Sequence, residues 1–159
     1  NGCLEACQYL IEKGAFPDSK AKHRTTPFQL AVWQNNLSIA RWLVEECDVD
    51  PSQVNDFGCG AVHWMAISPP CRADSTGRGD ALLPMARWLS YLKSVNYHLK
   101  QAHGHTCLHK AAWMGHVDFC SYLHEEHNFW DDCTDLAGNY AADLADMASQ
   151  PRNMPSRPN

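Results

Sequence analysis

An internal repeat is the feature that most restricts how this chain can fold. Residues 24–46 align with residues 104–126, and both stretches end in a pair of glutamates. The alignment superposes four pairs of identical residues: Thr26 with Thr106, Ala31 with Ala111, Trp33 with Trp113, and Leu43 with Leu123. A chain that repeats in this way is expected to stack similar units along one axis rather than to build one closed core.

Further copies occur in part. Residues 58–68 match the front half of the repeat and residues 83–92 match its back half. Thr26 and Gly60 are 34 positions apart, as are Thr106 and Tyr140, whereas 46 positions separate Gly60 from Thr106. The sequence therefore predicts a repeat domain over 1–148, divided into a partial repeat 1–22, repeats 23–56, 57–102 and 103–136, and a partial repeat 137–148. Residues 68–82 are an inserted loop, and 149–159 are expected to be a disordered tail.

Each copy has the pattern of two short helices. Thr26 can cap the first helix with its hydroxyl, and Pro27 at the first helical position leaves no N–H without a partner. The second helix carries an apolar face, Ile39, Ala40, Leu43 and Val44, that must be buried. Because neither helix is long enough to be stable alone in water, stacking of the copies is expected to supply the stability.

The repeat resembles the ankyrin family. The matching stretches are "TTPFQLA" (25–31), "GHTCLHKAAWMGH" (104–116) and "EKGAFPD" (12–18), and the resemblance extends from about Cys3 to Ala148. It implies an all-α ankyrin-repeat solenoid of stacked helix-turn-helix units with hairpin-like loops. It also implies a non-catalytic module that binds a partner protein. The alternative is a regulatory or targeting segment of a larger enzyme or signalling protein.

The stretch from His103 to Cys120 contains four histidines and two cysteines, which raises the question of a metal or catalytic site. The resemblance implies that His109, and His63 before it, form structural hydrogen bonds between neighbouring loops. A zinc site usually needs closely spaced ligand pairs such as C-x-x-C, and the sequence has none. We therefore expect no metal, no cofactor and no enzymatic activity.

The composition of the chain limits the classes of partner that it can bind. The formal net charge is −5 and no basic cluster is present, which argues against nucleic-acid binding. The apolar runs are too short for membrane insertion. Eight cysteines in a chain with helical periodicity are expected to be mostly reduced, which favours an intracellular protein, cytoplasmic or nuclear. We expect a monomer, and we expect further repeats to precede residue 1.

The resemblance also implies where a partner protein would bind. The predicted contact residues are Trp33, Gln34, Ile67, Ser68, Trp113 and Met114 at the ends of the first helices, and His23, Arg24, Phe57, His103 and His105 at the hairpin tips. Trp is enriched in binding hot spots. The competing interpretation is that Trp33 and Trp113 fold onto neighbouring repeats and fill gaps, with Trp64 and Lys110 shielding them.

Two further features carry weaker expectations. One aromatic residue recurs at the same place in each second helix: Tyr9, Trp42, Trp88 and Tyr122. We interpret this column as packing, with a second binding strip as the alternative. The inserted loop contains Arg78-Gly79-Asp80, a tripeptide found in integrin ligands, which in an intracellular chain is a chance match.

Overall fold

The computed structural model describes residues 3–69 and 80–149, and every regular element in those ranges is helical. The described helices are α1 (Leu4–Glu12), α2 (Pro27–Trp33), α3 (Leu37–Glu45), α4 (Ala61–Ala66), α5 (Leu83–Tyr91), α6 (Cys107–Met114), α7 (Val117–His127) and α8 (Ala141–Ser149). Short 3₁₀ turns cover Lys22–Arg24 and Asp80–Leu82. The all-α prediction is confirmed.

The helices form two rows. The first helices of the copies, α2, α4, α6 and α8, contact one another in that order. Each of α2, α4 and α6 also packs against the second helix of its own copy, α3, α5 and α7 respectively. Between the rows lies a continuous apolar core whose largest fully buried side chains include Phe28, Met65, Met85, Leu89, Phe119 and Leu123. Stacking therefore buries the faces that the sequence pattern required to be buried.

The predicted caps begin the first helices. The Thr26 hydroxyl accepts from the Gln29 N–H at 3.2 Å, and the Gln29 side chain accepts from the Thr26 N–H at 3.1 Å. Thr106 and His109 form the equivalent reciprocal pair in α6. Gly60 occupies the cap position of α4 without a side-chain bond. These caps satisfy N–H groups that a helix start leaves without intrahelical partners.

A ladder of side-chain hydrogen bonds joins successive copies. The His63 Nε2–H donates to the His105 carbonyl at 3.1 Å, and the His109 Nε2–H donates to the Asn139 carbonyl at 3.3 Å. Gln29 does the same in its copy, donating to the Cys59 carbonyl at 3.4 Å. The prediction that these histidines are structural donors between loops is confirmed. Gln29 is a third member of the ladder that was not predicted from the sequence.

A second ladder joins the hairpin tips through the backbone. The N–H groups of Asp56, Ala102 and Leu136 donate to the carbonyls of the preceding tips, His23, Phe57 and His103, at 2.8–3.0 Å. The tips are tight: a Cβ on Gly104 (φ +82°) would lie 2.9 Å from the Leu136 nitrogen. Glycine is therefore required at that position because a side chain there would break the tip-to-tip contact.

The last helix, α8, begins with a different cap. Tyr140 stands where Thr26 and Thr106 stand, and its N–H donates to the Asp143 carboxylate at 2.8 Å. The Asp131 carboxylate accepts from the N–H groups of Ala141 and Ala142 at 2.8 and 3.0 Å. Two carboxylates thus replace the missing threonine. The helix ends at Ser149, where the tail was expected to begin, and residues 150–159 lie outside the described ranges.

The inserted loop is anchored at both ends. Ser68 and Leu82 are buried, which differs from the prediction of an exposed loop over 68–82. Ser68 is buried because its hydroxyl donates to the Trp33 carbonyl and its own carbonyl accepts from the His116 ring at 3.0 Å. Asn35 donates to the Ala81 carbonyl at 2.7 Å. Residues 70–79, which include Arg78 and Gly79, lie outside the described ranges.

Candidate partner-binding surface

The predicted contact residues lie at the C-terminal ends of the first helices and at the hairpin tips. We call the surface formed by these two sets of residues the tip face. Trp33, Ile67 and Trp113 occupy one position in three successive copies, each within one residue of the end of its first helix. Met147 occupies the same position in α8 and is 47% exposed. Met147 was not among the predicted contact residues, although its 34-residue spacing from Trp113 would have identified it.

Trp33 is part of the packing between copies. It is half-buried, its indole Nε1–H donates to the Ile67 carbonyl at 3.1 Å, and its own carbonyl accepts from the Ser68 hydroxyl. Its ring stands edge-on to Trp64 with centroids 6.4 Å apart. Trp33 and Ser68 therefore clamp two repeats together, as the gap-filling interpretation proposed.

Trp113 is in a different environment although it stands at the same position. It is 40% exposed, and within residues 3–69 and 80–149 its indole N–H has no hydrogen-bond acceptor. The carbonyl equivalent to that of Ile67 belongs to Met147, which lies within helix α8. Trp113 therefore presents both an apolar ring and a donor to solvent.

The other helix-end residues differ in exposure. Gln34 is exposed, Met114 is half-buried beside Trp113, and Ile67 is half-buried with its carbonyl bonded to Trp33. Trp113 and Met147 are both exposed and stand at the same repeat position on the contacting helices α6 and α8. Large exposed apolar side chains that lie close together commonly mark binding surfaces.

The hairpin tips form a second strip beside the helix ends. Phe57 is 44% exposed, and its ring lies 4.9 Å from the His23 ring of the preceding tip. His103, at the next tip, is exposed. The backbone ladder places these three side chains on successive tips, where an imidazole, a phenyl ring and a second imidazole follow in order: His23, Phe57 and His103.

The His105 side chain is hydrogen-bonded within the hairpins at both of its ring nitrogens. Its Nδ1 accepts from the Gln101 amide at 2.9 Å, and its Nε2–H donates to the Asp135 carboxylate at 3.0 Å. Burial and the nearby Lys110 charge lower the pKa of His105, while Asp135 acts in the opposite direction. Backbone N–H groups, first that of Asn139, hold the pKa of Asp135 well below its usual range. The arrangement links two consecutive tips.

The pKa values of two buried thiols are raised. The seven described cysteines are free, and burial raises the pKa of Cys120 to about 11 and that of Cys107 further. A thiol with such a pKa stays protonated near neutral pH and is a poor nucleophile or metal ligand. In the ranges that the structure describes, no three side chains of His, Cys, Asp or Glu come together to hold a metal ion.

The aromatic column of the second helices is largely packing. Trp88 is 6% exposed and lies edge-on to Phe28, and Tyr122 is buried with its hydroxyl 2.7 Å from the Ser90 oxygen. The packing interpretation is confirmed for these two residues. Tyr9 at the start of the column is 58% exposed, because α1 has no buried residue.

No helix among the described residues combines the length and apolar character needed to cross a bilayer.

Comparison with known families agrees with the repeat architecture. A family model for ankyrin repeats in many copies matches residues 1–44, and the model for a single ankyrin repeat matches residues 103–135. Both matches coincide with stacked helix pairs joined by hairpin tips. The chain is an ankyrin-repeat protein.

Proposed function

We propose that the chain binds a partner protein through the tip face, with Trp113 as the main anchor. Ankyrin repeats are in general protein–protein interaction modules and are typically non-catalytic. The observation that supports this particular surface is Trp113 itself, an exposed indole on α6, which contacts α8 with its exposed Met147. The indole N–H of Trp113 has no acceptor in the part of the chain that the structure describes. A partner would bury the ring and supply an acceptor, the combination that makes tryptophan a frequent hot spot.

The hairpin row adds specificity to this proposal. Phe57 offers an apolar ring between two imidazoles, His23 and His103, which can donate or accept hydrogen bonds. Gln34 contributes an exposed amide at the N-terminal end of the face. His105 and Ile67 contribute indirectly, since their polar groups are occupied by contacts within the stack. We propose that the protein is a monomer in a reducing compartment, which the free thiols support.

The test is affinity capture from cell extract, read by mass spectrometry, with wild type beside Trp113→Ala. We expect Trp113→Ala to stay folded by circular dichroism and to lose its partners. Tyr91→Ala is the matched control, because Tyr91 is 84% exposed on a second helix away from the tip face. Retention of the same partners by Trp113→Ala would show that the binding surface lies elsewhere.

A further inference from the structure

Two positions of each first helix share one side of the stack: the fourth and the seventh residues after the helix cap. Positions three apart lie on the same face of a helix, and the contacts between consecutive first helices place these positions in two adjacent rows. The rows consist of Leu30, Trp64, Lys110 and Leu144 at the fourth position, and of Trp33, Ile67, Trp113 and Met147 at the seventh. Seven of these eight residues are apolar, and Lys110 is the charged residue among them.

The Lys110 ammonium group has no counter-ion in the part of the chain that the structure describes. Lys110 is half-buried on α6, one helical turn before Trp113. The ion pairs within residues 3–69 and 80–149 are Arg41–Glu45 and His105–Asp135, and neither includes Lys110. A charge that is partly withdrawn from water and lacks a partner gains from binding an anion. The position therefore favours a ligand that brings a negative charge.

Three titratable side chains on which the Lys110 charge acts are themselves uncharged near neutral pH. Burial lowers the pKa of both His63 and His105, and the nearby Lys110 charge lowers each further. Burial raises the pKa of Cys59, and Lys110 opposes that rise by a smaller amount, so the thiol stays protonated. None of these three groups neutralises the ammonium group.

The face supplies hydrogen-bond donors and apolar rings. The indole N–H of Trp113, like the Lys110 ammonium group, lacks an acceptor among the described residues. A complementary ligand therefore carries acceptor oxygens with a negative charge next to an apolar group. One cation matches a carboxylate better than a phosphate group, which carries about −1.5 to −2 charges and usually needs several donors.

We propose that this face binds a segment of a partner protein whose acidic side chain pairs with Lys110 and whose neighbouring bulky apolar side chain packs on Trp113. The proposal rests on the partner-binding function proposed above and adds the chemistry of the partner. Residues three apart on a helix have Cβ atoms about 5–6 Å apart. Side chains two residues apart in an extended peptide point the same way at about 7 Å. The matching segment is thus extended, with an acidic residue two positions from a large apolar one.

The test is selection from a phage-displayed library of random peptides against the full chain, read by sequencing. We expect the enriched peptides to carry Asp or Glu two positions from a large apolar residue. Lys110→Glu should reverse this preference to Lys or Arg. Lys93→Glu is the matched control, because Lys93 is exposed just after α5 and its substitution changes the net charge equally. The control should keep the acidic preference.

A synthetic copy of an enriched peptide then allows a double-mutant cycle by fluorescence anisotropy. We expect replacement of the peptide's acidic residue by its amide to weaken binding to wild type at least about tenfold, and to weaken binding to Lys110→Met much less. Circular dichroism checks that the variants are folded. Equal weakening in the two proteins would overturn the proposal.

Two other outcomes separate this inference from the proposed function. Enriched peptides that require Trp113 but contain no acidic residue would overturn the role of Lys110 and leave the proposed function standing. Peptides that bind Trp113→Ala as tightly as wild type would overturn the proposed function, and this inference with it.

Discussion

At the scale of single residues, equivalent positions have different roles in different copies. Trp33 and Trp113 are both tryptophans and stand at the same repeat position. Trp33 donates a hydrogen bond to the next copy, whereas Trp113 is exposed. Gln29, His63 and His109 differ in type and make the same bond. A side chain's role in this stack therefore depends on the atoms of the adjacent copy that it can reach, and not on its identity alone.

The two tryptophans can be separated by a conservative substitution. Trp33→Phe keeps an aromatic ring but removes the indole donor, so the Ile67 carbonyl loses its partner. We expect the free energy of unfolding to fall by about 1 kcal/mol, the usual net value of such a bond. Trp113→Phe should change it by much less. Urea denaturation followed by circular dichroism measures the unfolding free energy of both variants. An equal decrease in the two variants would contradict the role of the Trp33 hydrogen bond in joining the copies.

His63 makes stability depend on pH. Its ring is buried, its Nδ1 has no hydrogen-bond partner among the described residues, and burial lowers its pKa from 6.5 to about 4. Because the unfolded chain then binds more protons between these values, stability is complete above about pH 6.5 and falls as the pH drops toward 4. The loss should be on the order of 3 kcal/mol at the lower end.

The matched variant is His63→Gln, since Gln29 already performs this role in the preceding copy. The variant should remain close to wild type in stability at pH 7.5 and lose less stability on acidification between pH 6.5 and 4. The measurement is the urea midpoint as a function of pH. Parallel pH profiles for the two proteins would exclude His63 as the source.

At the scale of elements, the helices are short and depend on caps and neighbours. Three first helices have the N-cap residues that the sequence pattern predicts: Thr26, Gly60 and Thr106. The fourth, α8, starts without threonine and relies on Asp131, which is ten residues before Ala141 in sequence. That bond was not predictable from local sequence because a carboxylate so far from a helix start has no fixed relation to it until the loop between them folds.

We expect Asp131→Ala to loosen α8. Removing the carboxylate leaves the N–H groups of Ala141 and Ala142 without their acceptor, which typically costs about 1 kcal/mol at a helix start. Hydrogen exchange over residues 141–149 should accelerate, while exchange in α4 should not change. Asp132→Ala is the control, since Asp132 is an exposed neighbour of the same charge. Equal acceleration in both variants would contradict the capping role.

At the scale of the whole molecule, stability is distributed unevenly along the stack. Helix α4 has neighbours on both sides in the row of first helices, and five of its six residues are buried, whereas α1 contacts α3 and buries none. In a linear array each unit is stabilised chiefly by its neighbours. We therefore expect the slowest amide exchange in α4 and α6 and the fastest in α1.

Hydrogen exchange measured by mass spectrometry on the intact protein checks this gradient, with protection read separately for each helix. A uniform exchange rate across α1 to α7 would mean that the stack opens only as one cooperative unit.

The sequence by itself determined the architecture, because that depends on local signals repeated at a fixed spacing. The caps at Thr26 with Pro27 and at Thr106 and the apolar face of α3 each depend on residues close in sequence, and repetition makes stacking the consistent solution. The resemblance to ankyrin repeats, and not the spacing alone, identified His63 and His109 as structural donors.

Only the tertiary structure decided which side chains are available to a partner. Trp33 was occupied by Ile67 and Ser68, His105 by Gln101 and Asp135, and Trp113 was left exposed. The physical reason is that these outcomes depend on which atoms of the adjacent copy each side chain can reach. Such information arises between copies, so it does not exist within any single repeat of the sequence.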